Sequence, residues 1–157
     1  KKFYDLIFWA FIFKSSTERS IFVPRFREIN KGMTVPHIGT LISHSLHEKL
    51  NGYKNKYKLA MDYDFFIKAS KDCKFIEFNQ TLVEIDGDGI SSLNPHKTNL
   101  EVLRIKLNSG EKSLKNKIFS VIYFLFSTIK RSIYDFLIFS PKMRKKLRLI
   151  INSRIIK

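Results

Sequence analysis

Apolar residues form three runs within the first 42 positions, and the first run is the longest. Residues 3–13 are apolar except for Asp5. A helix that crosses a bilayer needs roughly 20 apolar residues, so this run predicts a buried or interfacial helix. The later runs, residues 21–23 and 38–42, are short and contain several β-branched residues, which predicts two strands.

Capping and turn residues divide the middle of the chain into short elements. Ser43 or Ser45 can cap a short helix that Gly52 ends. Asp62 precedes a stretch of aromatic and aliphatic residues whose length and pattern predict a second helix, with Asp62 at its N-terminus. Two further runs predict strands, residues 74–78 and 81–85.

The last part of the chain differs from the rest in charge and in periodicity. Residues 1–96 carry 14 basic and 11 acidic side chains, whereas residues 97–157 carry 15 and 3, so that +12 of the net charge of +15 lies in the second segment. The second segment predicts helices over 97–107, 114–139 and 142–156. We therefore divide the chain into an α/β unit, residues 1–96, and a basic amphipathic helical tail, residues 97–157.

The apolar residues between these charges favour a membrane surface as the partner of the tail. A basic helix with a wide apolar face lies in a membrane interface, where each lysine or arginine gains about 1 kcal/mol near anionic headgroups. A helical cap packed on the protein, with its basic face in water, is an alternative. Nucleic-acid binding is a more remote one, and we expect no nucleic-acid partner. A single cysteine, Cys73, fits a reducing compartment, so we expect a cytoplasmic protein that is peripheral at the inner face of the cell membrane.

Four short motifs follow one another in the first segment. They are Pro36-His37, Asn51-Gly52-Tyr53, Ala60-Met61-Asp62-Tyr63-Asp64 and Asp88-Gly89-Ile90-Ser91-Ser92, with a spacing of 25 from His37 to Asp62. In this order the segment resembles the C-terminal half of bacterial family-2 glycosyltransferases, which have the GT-A fold and make surface polysaccharides. It departs from the family pattern at Ile38, where glutamine is common, and at Lys68, where arginine is common.

The resemblance implies a fold, an activity and a set of site residues. The fold would be the acceptor-side half of a GT-A domain. The activity would be transfer of a sugar from a nucleotide sugar to a lipid-linked or polysaccharide acceptor, with Asp62 as the general base that takes the proton of the acceptor hydroxyl. A plain helix N-cap is the alternative role for Asp62. The resemblance also implies residues near the acceptor or the diphosphate: His37, Asp64, Lys68, Gly89 and Ser91.

A divalent cation is expected for the complete enzyme but not on this chain. In the family, Mg²⁺ or Mn²⁺ is usually held by an Asp-x-Asp motif that ends a strand in the N-terminal half. Asp62-Tyr63-Asp64 opens a helix and Asp86-Gly87-Asp88 lies in a glycine-rich loop, so neither is interpreted as that motif. Because the chain starts at Lys1 without a methionine, we expect the nucleotide-binding half and most metal ligands to lie upstream. The alternative function is a non-enzymatic membrane-peripheral module that acts through its tail.

Overall fold

A mixed sheet organises the computed structural model, which describes residues 3–14, 19–86, 94–110 and 114–137. Its strands in this part of the chain are β1 Leu6–Lys14, β2 Arg19–Phe22, β3 Leu41–Ile42 and β4 Phe75–Asp86. The helices are a 3-10 helix Phe26–Lys31, α1 His44–Lys49, α2 Met61–Ala69, α3 Pro95–Asn108 and α4 Leu114–Leu137. The chain is therefore a mixed α/β protein, which confirms the predicted class at this coarse level.

Strand β1 is the centre of the sheet. β4 runs parallel to it along its whole length, whereas β2 and β3 pair antiparallel with its end and its beginning on the opposite edge. Leu6, Phe8 and Ala10 are buried, and Ile7 and Trp9 between them are half-buried. One face of β1 thus belongs to the core, and the other face is only partly covered.

The prediction of a helix over residues 3–13 is wrong, because this segment forms β1. A nearly uniform apolar run has no hydrophobic period, so its pattern cannot distinguish a buried strand from a buried helix. Its aromatic and β-branched residues suit a pleated surface. Strand pairing on both edges, which the local sequence does not reveal, then decides the outcome.

The two strands predicted at 74–78 and 81–85 are parts of one continuous strand, β4. Opposite β1, Trp9 pairs with Phe78 and Ala10 pairs with Thr81, so Asn79 and Gln80 are extra residues that form a bulge. The strand predicted at 38–42 shortens to β3, and the strand predicted at 21–23 is confirmed for its first two residues, which end β2.

Helices α1 and α2 form where the sequence predicted them. The Ser43 hydroxyl caps α1 by accepting a hydrogen bond from the backbone N–H of Leu46 at 3.2 Å. Gly52 follows in the left-handed region with φ of +62°, and a Cβ at this position would lie 3.0 Å from the His47 ring. A glycine is therefore required in this turn both by its backbone and by its neighbour. Helix α2 begins at Met61, one residue before Asp62.

The core lies where α2 packs against the buried face of the sheet. Phe66 of α2 is fully buried, and its ring lies 5.6 Å from that of Phe8 in β1 and 6.3 Å from that of Phe26. Helix α3 packs on α2 and contributes Ile105, which is only 1% exposed, to the same core. The first helix of the predicted tail is thus part of the folded unit.

Helix α4 packs on α3 and continues the tail. It confirms the predicted helix over 114–139 as far as residue 137. The predicted helix over 142–156 lies outside the described residues. None of the helices within the described ranges has both the length and the apolar content that a membrane crossing requires.

Candidate functional site

The carboxylate of Asp62 lies in the first turn of α2 and is partly buried. Its Oδ1 atom accepts a hydrogen bond from the backbone N–H of Tyr63 at 2.8 Å. Ala60, not Asp62, occupies the N-cap position of the helix. The alternative role of Asp62 as the N-cap is therefore wrong, although its negative charge in the first turn still suits the helix dipole.

Two side chains from other parts of the chain, His37 and Tyr53, act on the charge of Asp62. The Nε2 atom of His37 is 2.8 Å from the hydroxyl oxygen of Tyr53, and the two rings meet edge to face at 5.5 Å. Both side chains interact electrostatically with Asp62. We call these three residues, His37, Tyr53 and Asp62, the Asp62 cluster. Each comes from a different one of the motifs that carry the family resemblance, so the fold brings three of the four motifs together.

Burial raises the pKa of two members of the Asp62 cluster, Asp62 and Tyr53. Removal from water raises the pKa of the Asp62 carboxyl above its ordinary value, and this effect outweighs the lowering by the Tyr63 N–H and by His37. A higher pKa makes the carboxylate a stronger base. Burial, reinforced by the charge of Asp62, also raises the pKa of the Tyr53 hydroxyl, which therefore keeps its proton at neutral pH.

The titration of Asp62 should report this environment directly. We expect the midpoint of its carboxyl carbon shift, measured by NMR, to lie above the ordinary aspartate value of about 3.9. His37→Gln should move the midpoint further up, because a protonated imidazole favours the ionised carboxylate. The native state then binds this proton more tightly than the unfolded state, so the associated stability is present at low pH and is lost as the pH rises through the raised pKa.

An exposed histidine provides the control for this titration. His44 lies on α1, and its ring is 3.3 Å from Glu48. His44→Gln should leave the midpoint of Asp62 unchanged. A midpoint at or below the ordinary value in the unsubstituted chain would contradict the burial of Asp62.

Asp64 and Lys68 do not join the Asp62 cluster. They form an ion pair with each other across one turn of α2, and Asp64 is only 6% exposed. Residues two apart on a helix diverge by roughly 200°, so Asp64 lies on a different side of α2 from Asp62. The other two predicted substrate-binding residues, Gly89 and Ser91, lie outside the described residues.

Sequence reasoning missed Glu101, which holds the chain in front of α2. Its carboxylate accepts hydrogen bonds from the backbone N–H groups of Lys58, Leu59 and Ala60 at 3.2, 2.8 and 2.9 Å. The negative charge also lies near the positive end of the α2 dipole. Because Glu101 belongs to α3, about 40 residues further along, no local pattern could reveal this contact. Glu101 thus fixes the segment that leads into Asp62.

Glu101→Ala should destabilise the protein clearly. It would leave three backbone N–H groups without their acceptor, and hydrogen bonds to charged groups contribute about 1.5 to 3 kcal/mol each when buried. Since this site is only partly buried, we expect a total loss of about 2 to 4 kcal/mol, measured by urea unfolding. Glu101→Gln, which keeps one acceptor oxygen, should lose less.

The control for Glu101 is another glutamate on a helix surface. Glu48 of α1 is exposed, so Glu48→Ala should change the free energy of unfolding by no more than about 0.5 kcal/mol. Equal urea midpoints for Glu101→Ala and Glu48→Ala would show that the three hydrogen bonds do not support the fold.

The described residues do not fit a divalent cation. Within ranges 3–14, 19–86, 94–110 and 114–137, no group of three His, Cys, Asp or Glu side chains is placed to hold a metal ion. Asp64 is already neutralised by Lys68.

The chain matches no known family model, no curated protein and no solved structure. The likeness to family-2 glycosyltransferases thus rests on the motifs alone.

Proposed function

We propose that the chain is the acceptor-side part of a bacterial family-2 glycosyltransferase, with Asp62 as its general base. The enzyme would transfer a sugar from a nucleotide sugar to a lipid-linked or polysaccharide acceptor in the synthesis of cell-surface polysaccharide. One observation carries the proposal: His37 and Tyr53, from two other motifs, hydrogen-bond to each other and interact electrostatically with Asp62, whose partial burial raises the pKa of its carboxyl.

In this reaction, Asp62 acts on the hydroxyl group of the acceptor. Its carboxylate removes the proton while the hydroxyl oxygen attacks the anomeric carbon of the donor sugar. The new glycosidic bond forms as the bond to the nucleoside diphosphate breaks, and the proton stays on Asp62. Inversion at the anomeric carbon follows from this direct displacement.

His37 and Tyr53 support Asp62 in different ways. When protonated, His37 favours the ionised form of Asp62, which is the form that can accept a proton. The hydrogen bond between His37 and Tyr53 fixes the imidazole ring at the edge of the site. In the proposed enzyme the donor-binding half is a further part of the protein, which supplies the nucleotide-sugar site and the Mg²⁺ or Mn²⁺ ligands.

The proposal is tested by the transferase activity of Asp62→Asn in a polypeptide that includes the donor-binding half. Loss of turnover with retained folding is the expected result.

A second function is favoured by helix α4, whose apolar surface faces outward. Ile118, Ile122, Phe126 and Ile129 lie on one side of the helix and are each more than half exposed. The residues of α4 that are half-buried are mainly polar, Ser120, Ser127 and Thr128. The hydroxyl of Thr128 is buried without a hydrogen-bond partner among the described residues. Because the apolar face of α4 is turned away from the core of the chain, we infer that it contacts a separate binding partner.

The charge of α4 favours an anionic membrane surface as that partner. Lys115 and Lys130 are exposed, and the sequence adds the basic cluster of residues 142–148. Exposed apolar side chains next to lysines match the two components of an anionic bilayer surface. We propose that α4 holds the protein at the inner face of the cytoplasmic membrane. This role fits an enzyme with a lipid-linked acceptor. If the chain has no enzymatic activity, membrane binding through α4 is the function of the alternative, a non-enzymatic membrane-peripheral module.

A further inference from the structure

We propose that the chain has a second ligand site, which binds a phosphate monoester in the cavity between α2, the end of α3 and the loop 54–57. The cavity has a volume of about 200 Å³. Its polar lining consists of Lys54, Lys56, Lys68, Asp64, Asn108 and Ser109, and the rest of its wall is apolar. Asp64 lies on a different side of α2 from Asp62, so this site is separate from the Asp62 cluster and independent of the proposed function.

The charge of the cavity favours an anion. Asp64 is buried and paired with Lys68, so these two charges cancel. Lys54 and Lys56 are exposed, and neither forms an ion pair with a described carboxylate. The Nζ atom of Lys54 donates to the carbonyl of Asn51 at 3.3 Å. The Nζ atom of Lys56 lies 5.4 Å from the centre of the Tyr57 ring, and Tyr57 is part of the cavity wall. Two positive charges therefore remain without a counter-charge.

A third lysine that forms no ion pair with a described carboxylate contacts the wall of the cavity. Lys71, from the segment after α2, donates a hydrogen bond through Nζ to the carbonyl of Ser109 at 2.8 Å. Ser109 lines the cavity, but its hydroxyl is already used, because it donates to the carbonyl of Lys106 at 2.8 Å. The amide of Asn108 is exposed and supplies a neutral donor. Charged donors thus dominate, and these suit the oxygens of a phosphate group.

Size and wall composition narrow the ligand class further. Pockets for drug-sized ligands measure roughly 300 to 1,000 Å³, so a cavity of about 200 Å³ can enclose only part of a molecule as large as a nucleotide sugar. It has room for a phosphate group and a few attached carbon atoms. Tyr57, Ile67 and Ile105 provide an apolar wall for those carbons. A phosphate monoester of a small alcohol combines both features, and it occurs free in solution or as the headgroup of phosphatidic acid.

Titration with glycerol 3-phosphate at constant physiological ionic strength tests the proposal, with NMR shifts of the backbone amides as the readout. We expect saturable binding in the millimolar range, with the largest shifts at Tyr57, Asn108 and Ser109. The double substitution Lys54→Ala and Lys56→Ala should weaken binding by at least about tenfold, because it removes both unpaired charges. Both lysines are exposed, so the fold should be retained.

A matched control distinguishes specific binding in the cavity from nonspecific attraction of the phosphate to a chain with a net charge of +15. Lys31→Ala with Lys49→Ala removes the same charge from exposed lysines that already pair with Glu28 and Asp72. Equal weakening in both double variants, or shifts spread over the whole surface, would overturn the proposal.

Vesicles that contain phosphatidic acid distinguish the two sources of the ligand. If the cavity variant binds these vesicles less well than the control variant does, the ligand is a lipid headgroup. If the cavity variant binds glycerol 3-phosphate less well than the control variant but binds the vesicles equally well, the ligand is a free phosphate ester.

Discussion

Replacing Asp62 with asparagine should lower transferase turnover by about a hundredfold or more, since a positioned general base contributes about 10² to 10⁴ to the rate. The asparagine amide has the shape of the carboxylate but cannot accept the proton of the acceptor hydroxyl. Substrate binding should change little, because the lost interaction acts when the proton moves. The expected result is therefore a fall in kcat with a nearly constant KM, measured in a polypeptide that includes the donor-binding half.

Asp72 provides the matched control for this experiment. It is an exposed aspartate just beyond α2, and its carboxylate lies 3.9 Å from Lys49. Asp72→Asn makes the same chemical change outside the Asp62 cluster and should leave turnover unchanged. Urea unfolding of both variants shows whether the fold is retained. Full turnover in Asp62→Asn would remove Asp62 from the mechanism and with it the main support for the enzyme.

The parts of the fold that the sequence predicted are those with local signals. Ser43 and Gly52 mark the two ends of the α1 region through capping and backbone conformation, and both act within a few residues. Helix α2 follows from the length and pattern of its apolar run. Strand β1 was misassigned because its identity depends on pairing with β4, about 70 residues away in sequence. Local sequence carries no information about such a partner.

In the candidate site, too, the residues that lie in local motifs could be predicted, whereas contacts between distant segments could not. The motifs predicted His37 and Asp62 as site residues, whereas Tyr53 belongs to a motif but was not predicted to lie at the site, and no single motif indicated that the three interact. The role of Glu101 depends entirely on the packing of α3 against α2, so it could not be predicted. Asp64 was placed near the substrate by resemblance, whereas the structure shows it neutralised by Lys68. Resemblance thus suggested candidate residues, and packing determined the contacts that each of them makes.

A double substitution on the outer face of α4 should strongly reduce binding to anionic vesicles. Ile122 and Phe126 are 58% and 65% exposed and lie one turn apart on the apolar side of the helix. Burial of a large apolar side chain contributes about 1.5 to 3 kcal/mol. Losing two of them corresponds to a decrease in vesicle affinity of about a hundredfold or more. Ile122→Glu with Phe126→Glu should show this decrease in a vesicle sedimentation assay, while the fold is retained because neither side chain is in the core.

The control must introduce the same charge at apolar positions that are equally exposed but lie elsewhere. Leu41 in β3 and Leu82 in β4 are each 59% exposed, so Leu41→Glu with Leu82→Glu reproduces both the charge and the loss of surface apolarity. If α4 contacts the membrane, the α4 variant loses vesicle affinity by about a hundredfold or more, and the control variant loses much less. An equal decrease in both variants would mean that net charge alone attracts the chain to the vesicles. Vesicle binding that is unchanged in the α4 variant, combined with a loss of self-association, would instead assign the apolar face to contact between copies of the chain.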